Sequence, residues 1–462
     1  MEQKAEKQKR RRSNRSYVEP ESSAYSTVIL ILLLATPILS TIGYGAVDMW
    51  AISLLSIITA LVVVFWMADS WKTRALRFNN SSLQLPILGM ICIACVQLLP
   101  LGNAGISSEL LNTSPVRALS LDPYATRFFL IRLVIAFVFF AGALAFIDSR
   151  RRVKKTAIVI VIFGALMAFV GILQRLASPD AIYGMRPTPQ AIPFGPFVNQ
   201  HHFAAFMEMT AGLTLGLLLG GSVKRDKTAL LGIATALMII AVIMTGSRGG
   251  FLGMLGVTGF VLAARFLSGK SRSSERAKPR SALGLVAGGA ALLIIVAGAV
   301  LFLGGGGPLF RGLGFQDQTD ITSGRSHFWS VALRIFYDNP ILGAGFEAFG
   351  VAFSKYDTWN GFFRVEQAHN DYLQMLTDGG ILAFACVVAF IFLFFRRGLA
   401  VIGNTTHGFR KSVAVGSMAG CFGILIHSFF DFPMRTQSNT FFFLLLVVLA
   451  TAAVGEDRKN ET

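Results

Sequence analysis

Apolar runs of about 20 residues recur along almost the whole chain, separated by polar breaks. They lie near 25–45, 49–68, 83–100, 128–147, 153–173, 203–221, 228–246, 250–267, 282–303, 380–395, 412–430 and 439–454. A helix of about 20 apolar residues crosses the ~30 Å hydrocarbon layer, so each run predicts one spanning helix. A β-barrel would instead show short alternating segments. The pattern therefore predicts an all-α integral membrane protein of about twelve transmembrane helices. It divides into a tail (1–24), helices one to nine (25–303), a large loop (304–369), helices ten to twelve (370–454) and a second tail (455–462). Within the loop, "TSGRSHFWSVALRIFYDNP" predicts a surface helix, with Thr322 or Ser323 as its cap, Pro340 as its stop, and Phe328, Ala332, Ile335 and Phe336 as its apolar stripe.

Charge fixes an orientation for these spans. With the N-terminus placed inside, 30 of the 42 Lys and Arg residues fall in inside segments, as positive-inside sorting requires. Both termini are then cytoplasmic and 304–369 lies on the outer face. This asymmetry accounts for the net charge of +17 without nucleic acid. The basic N-terminus with no small-residue cleavage site reads as an uncleaved anchor. Of the 12 outside basic residues, 11 are Arg and one is Lys355. Topology is indifferent to that choice, whereas fork-like recognition of phosphate or carboxylate favours Arg. The four cysteines sit in apolar runs, and Cys92-x-x-Cys95 reads as small core packing.

Four polar motifs fall on the outside: "FVNQHHF" (197–203), "TGSRGG" (245–250), "TSGRSHFW" (322–329) and "AHNDYLQ" (368–374). Three of them open spans, and a helix N-terminus offers unpaired N–H groups and partial positive charge to an anion. Arg248, after the candidate cap Ser247, and Arg325 each place a cation where the dipole disfavours one. Either they share an anionic ligand, or each meets headgroups or a nearby acid. Five of six histidines lie outside: His201, His202, His327, His369 and His427. No H-x-x-x-H or H-E-x-x-H spacing occurs, so neither metal nor cofactor is expected. A lone imidazole suffices as a general base near neutrality. Asp431, four residues after His427, could orient a histidine or make an ordinary structural hydrogen bond.

Taken in order, "NQHHFAAFMEM", "TGSRGGFLG", "GRSHFWSVALRIFYDNPILGAGFEAF", "AHNDYLQMLTDGGI" and "HSFFDFP" resemble the bacterial O-antigen ligase and O-antigen polymerase superfamily, over roughly residues 195–435. The resemblance implies a class C glycosyltransferase-like fold, an undecaprenyl-diphosphate-linked glycan donor and a glycan or lipid acceptor. It implies that Arg248 and Arg325 hold the diphosphate and that His369 is the catalytic histidine. Asn199, His201, His202, His327, Asn370, Asp371, His427 and Asp431 are the expected substrate-side residues. Expected partners are membrane lipids and, within one pathway, a chain-length regulator and a flippase; nucleic acid is not expected. "FVNQHHFAAFMEM" and "HSFFDFP" look more like polymerase-type members, so polymerisation is the first expectation and ligation to a lipid A core the second. A transporter or flippase is the rival of a different class. It would show repeated halves and a polar midplane, whereas here intramembrane charges look nearly absent.

The orientation has a direct check. A Ser273→Cys variant in intact cells should resist an impermeant thiol reagent added outside; labelling would invert the assignment and remove the site from the periplasm.

Overall fold

The computed structural model describes residues 23–102, 117–189, 191–221, 223–270, 324–358 and 365–452. Over them the chain is an all-α integral membrane protein. Eleven of the twelve expected spans are helices: α1 Ala24–Ile42, α2 Met49–Thr73, α3 Gln84–Gln97, α4 Pro123–Phe146, α5 Arg150–Ala177, α6 Gln200–Leu219, α7 Arg225–Thr245, α8 Arg248–Lys270, then α11 Asp371–Asn404, α12 Gly408–His427 and α13 Gln437–Thr451. Nine are long and apolar enough to cross a membrane, while α3 and α13 are shorter. The span expected at 282–303, most of both tails, and Thr322 and Ser323 lie outside the described residues.

Two short helices, α9 Arg325–Asp338 and α10 Phe349–Tyr356, form an outer layer. The apolar stripe of α9 is rotated from the expected one: Val331, Ala332 and Ile335 are its buried residues, and Phe336 is only half-buried. This face packs with Phe349, Phe353 and Ala368 into a small second core. Asn339 follows the helix and Pro340 comes next, so the stop stands as expected. Its N-cap is Gly324, in the left-handed region at φ 80°.

At the centre, α6 is buried along almost its full length. It meets α12 antiparallel through glycines. A Cβ on Gly216 would lie 2.3 Å from the Cα of Gly416, and one on Gly212 would lie 2.5 Å from the backbone nitrogen of Gly420. Both helices repeat a small residue every four positions, the spacing that lets helix backbones touch in lipid.

Two sequence expectations fail here. Cys92 and Cys95 are exposed on the outer surface of α3 and are not core packing. Charges are not nearly absent from the spans either: Asp69, Glu208 and Asp378 are fully buried on α2, α6 and α11. Each has a polar partner that makes its burial tolerable: Arg77, His427 and Arg435 respectively.

The long helix α11 is broken at Gly380, whose φ of 64° and ψ of −167° are non-helical. The loop 339–348 fills the break: the amide of Ile381 donates to the carbonyl of Pro340 (2.9 Å), and that of Gly345 to Asp378 (3.0 Å). Beside it, Asp378 binds Arg435, which also pairs with Glu347 at 2.9 Å. Burial opposes the charge of Arg435, but Glu347 and Asp378 outweigh it and raise its pKa.

If the α6–α12 contact sets the bundle, Gly216→Leu should lower stability by about 3 kcal/mol, the upper range of overpacking. Gly232→Ala, whose new Cβ would meet nothing within 4 Å, should be close to neutral. Thermal unfolding of both variants in detergent checks this; equal melting temperatures would remove the role given to the glycine contact.

Candidate active site

The N-termini of α6, α8, α9 and α11 and the C-terminus of α12 meet at one end of the bundle. Each entry is shaped by local chemistry. Asn199 caps α6, accepting from the amide of His201 at 2.8 Å. Gly246, at φ 65°, ends α7. Ser247 then opens α8, its hydroxyl accepting from the amide of Gly250 at 3.1 Å, as the sequence suggested. Asn370 caps α11, accepting from Tyr372 and Leu373 at 3.0 Å each. Two residues expected to face substrate, Asn199 and Asn370, are thus helix caps. Asp371 also serves the framework: its carboxylate accepts from the Ser428 hydroxyl (2.9 Å) and the Met434 amide (3.1 Å).

The loop between α12 and α13 brings Asp431 to the centre of this end, with its side chain only 2% exposed. Three cationic or titratable groups converge on it. His369 Nδ1 lies 3.3 Å from Oδ1, Arg325 Nη2 lies 3.7 Å from Oδ2, and His201 Nδ1 lies 3.8 Å from Oδ2. Burial alone would push the Asp431 carboxyl up. The imidazole of His201, the hydrogen bond from His369 and the imidazole of His202 nevertheless hold it well below the usual carboxylate range. Asp431 is therefore an anion at neutral pH, and Arg325 at the first turn of α9 meets the nearby acid that the sequence left open.

His369 is fixed from every side. Its backbone is left-handed at φ 50°, a conformation that a non-glycine residue holds only when its surroundings impose it. Those surroundings are specific. The indole of Trp329 donates to the carbonyl of Ala368 (3.0 Å), and the amide of Ala368 donates to Gln374 (2.5 Å). The ring stacks on Phe328 and meets Phe432 edge-on at 4.9 Å. With Nδ1–H donated to the Asp431 anion, the lone pair resides on Nε2, the state of a general base. The ring is 31% exposed.

Behind His201 lies a second array. His201 Nδ1 is 2.8 Å from Ser247 Oγ, which is 3.4 Å from His427 Nε2. His427 Nδ1 is 2.7 Å from Glu208 Oε1, and both of these side chains are 0% exposed. His427 is therefore removed from direct substrate contact by burial. His202 is likewise turned inward, its Nδ1 2.6 Å from the Thr436 hydroxyl. His327 is held by Asp357 at 2.8 Å and does not join the Asp431 cluster through that ring nitrogen. Arg248 is half-buried, between Ser247 and Gly249, whose neighbours are His201 and His427. Among the described residues no group of three His, Cys, Asp or Glu could hold a metal ion.

Residues 233–388 match the family described as O-antigen ligase. The match supports the resemblance to the O-antigen ligase and polymerase superfamily over that segment, about a third of the chain. It contains Arg248, Arg325 and His369, while His201, Glu208, His427 and Asp431 lie outside it. No curated protein matches the chain. The match supports a function of the ligase or polymerase type.

Sequence reasoning missed Glu208, Asp378, Glu347 and Arg435. Glu208 carried a usable signal, a single carboxylate inside "FAAFMEMTAGL", because an ionisable residue in a span needs a partner.

Asp431 has a pH signature with a definite sign. Its native carboxyl titrates below the unfolded value of about 3.9, so its stabilisation is present above that value and lost as pH falls through the native one. Asp431→Asn should cost about 3 kcal/mol at neutral pH, the scale for breaking a buried pair. The gap from wild type should persist to about pH 4 and then close. A gap that stays unchanged in stronger acid would contradict an ionised Asp431.

Proposed function

We propose that this end of the bundle transfers a glycan from an undecaprenyl-diphosphate carrier to an acceptor hydroxyl, polymerising the repeat units of a surface polysaccharide. The observation that carries the reading is the His369–Asp431 pair. A partly exposed imidazole, rigidly held, has Nδ1 against a buried anion that fixes its tautomer and leaves the lone pair on Nε2. As the acceptor oxygen attacks the anomeric carbon, its proton passes to His369 Nε2. The bond to the diphosphate oxygen breaks on the opposite face, so the anomeric configuration inverts. Charge growing on the phosphates is met by the guanidiniums of Arg325 and Arg248 and by the helix N-termini beside them.

A groove for the carrier's tail supports the same reading. An apolar cavity lined by Met90, Leu133, Phe390 and Leu444 runs between α3, α4, α11 and α13, and reaches Arg132 and Arg435. It is also lined by Ser428 and Met434, which belong to the loop that carries Asp431. One loop thus borders both an apolar slot for polyprenyl and the polar cluster for its headgroup. Ligation to a lipid A core uses the same chemistry with another acceptor.

In an assay with synthetic undecaprenyl-diphosphate-linked glycan, His369→Ala should abolish turnover while membrane insertion persists. Arg325→Lys and Arg248→Lys should each lose about a hundredfold, ~3 kcal/mol of transition-state stabilisation, because an ammonium lacks the guanidinium's fork. Wild-type turnover in His369→Ala would move the base elsewhere, and near-normal rates in both lysine variants would end the diphosphate clamp. Deleting the gene and sizing the surface glycan separates the acceptors: single repeats retained means polymerase, unattached full-length polymer means ligase.

A further inference from the structure

We propose that His201, Ser247, His427 and Glu208 form a one-proton relay, which stores a proton on the buried His427–Glu208 pair and delivers it through Ser247 to the site face of His201. The inference rests on the glycosyl-transfer reading above and adds to it a proton donor for the leaving diphosphate.

The array is built into the packing. A Cβ on Gly249 would lie 2.4 Å from His427 Cδ2, and one on Gly253 would lie 2.2 Å from Glu208 Oε2. These glycines are one turn apart on α8, so "RGGFLG" leaves a slot that admits an imidazole and a carboxylate side by side. Glu208 Oε2 makes no hydrogen bond, which leaves His427, at 2.7 Å from Oε1, as the carboxylate's hydrogen-bonding partner. The links continue at 3.4 Å to Ser247 and 2.8 Å to His201. His201 alone of the four reaches the open end, with its side chain 27% exposed.

Two opposing pulls act on the stored proton. A lone carboxylate inside a spanning helix is among the costliest groups to bury, and one added proton makes the His427–Glu208 pair neutral. In that state His427 Nδ1–H donates to Glu208, His427 Nε2–H donates to Ser247 Oγ, and the Ser247 hydroxyl donates to His201 Nδ1. His201 then carries its hydrogen on Nε2, facing the site. On delivery, the His201 Nε2–H bond breaks as the proton passes to the departing phosphate oxygen. The Ser247 hydroxyl proton moves to His201 Nδ1, and the His427 Nε2 proton moves to Ser247 Oγ. One proton leaves His427 and one arrives on phosphate, with no change of oxidation state.

Asp431 Oδ2, 3.8 Å from His201 Nδ1, attracts the new Nδ1–H and favours release, as does the charge growing on phosphate. The other charged or titratable groups around the relay are His202 on α6, Arg248 on α8, Arg325 on α9, and His369 and Asp371 at the head of α11. Two imidazoles on one carboxylate thus take opposite tasks, His201 as donor and His369 as base. Ser247, His427 and Glu208 act through His201 and are positioning residues.

The test uses full-length protein with 15N-labelled histidine in lipid nanodiscs, its six histidines assigned by single His→Gln variants. At pH 7 His427 should be doubly protonated and His201 should carry its hydrogen on Nε2. Ser247→Ala should shift the His201 hydrogen to Nδ1, toward Asp431, and Glu208→Gln should leave His427 neutral. In turnover, Glu208→Gln should lower kcat about a hundredfold with little change in donor KM. It should also move the alkaline limb of the kcat profile to lower pH, because the proton is held less tightly; Glu208→Asp should restore part of both. A packing role alone would lower yield and melting temperature but leave tautomers and the alkaline limb in place. A neutral His427 in wild type, or a His201 signal indifferent to Ser247→Ala, overturns the relay. Absence of transfer by the wild-type protein would instead overturn the reaction reading, while the spectra decide the relay separately.

Discussion

Everything at the polar end depends on how closely α6 and α12 approach. With glycine against glycine at Gly216–Gly416 and Gly212–Gly420, the two backbones touch, and the antiparallel register is fixed in steps of four residues. One further step along α6 reaches Glu208, and the matching continuation of α12 reaches His427. A side chain at the glycine contact would separate the helices and stretch the 2.7 Å link between that carboxylate and imidazole. Helix packing in lipid thus sets a hydrogen-bond length, because small residues rather than hydrophobic burial decide the distance between spans.

The second dependence runs through the loop after α12. Asp371 grips its backbone at Met434 and its side chain at Ser428, and Arg435 anchors its far end to Asp378 and Glu347. Held at both ends, the loop presents Asp431 in the middle. A buried anion there is tolerable because Arg325 and the ring N–H of His369 reach it from separate elements. The charge at the centre and the helix ends around it therefore require each other.

The spans were legible in the sequence because lipid imposes a length and a polarity on every one of them. Eleven ranges fell on helices, and the cap Ser247 and the stop at Pro340 follow local rules that distance does not disturb. What the sequence hid was pairing. Asp431 and His369 are 62 residues apart and Glu208 and His427 are 219 apart, so no spacing rule links them. The same blindness made His427 look like a substrate contact and made the spans look free of charge. The α9 stripe is rotated from Phe336 to Val331, onto the face that packs with Phe349 and Phe353.

The break in α11 separates two requirements that a continuous helix would couple. In an unbroken α-helix each inserted or deleted residue turns everything beyond it by about 100°. Here Gly380 ends one segment and begins another, and the loop 339–348 takes up the backbone groups between them. The lower segment, Ile381–Asn404, can therefore lengthen or shorten to suit bilayer thickness without rotating Asn370 and Asp371 or turning His369 away from its carboxylate. The angular position of the reactive ring is insulated from the thickness of the membrane.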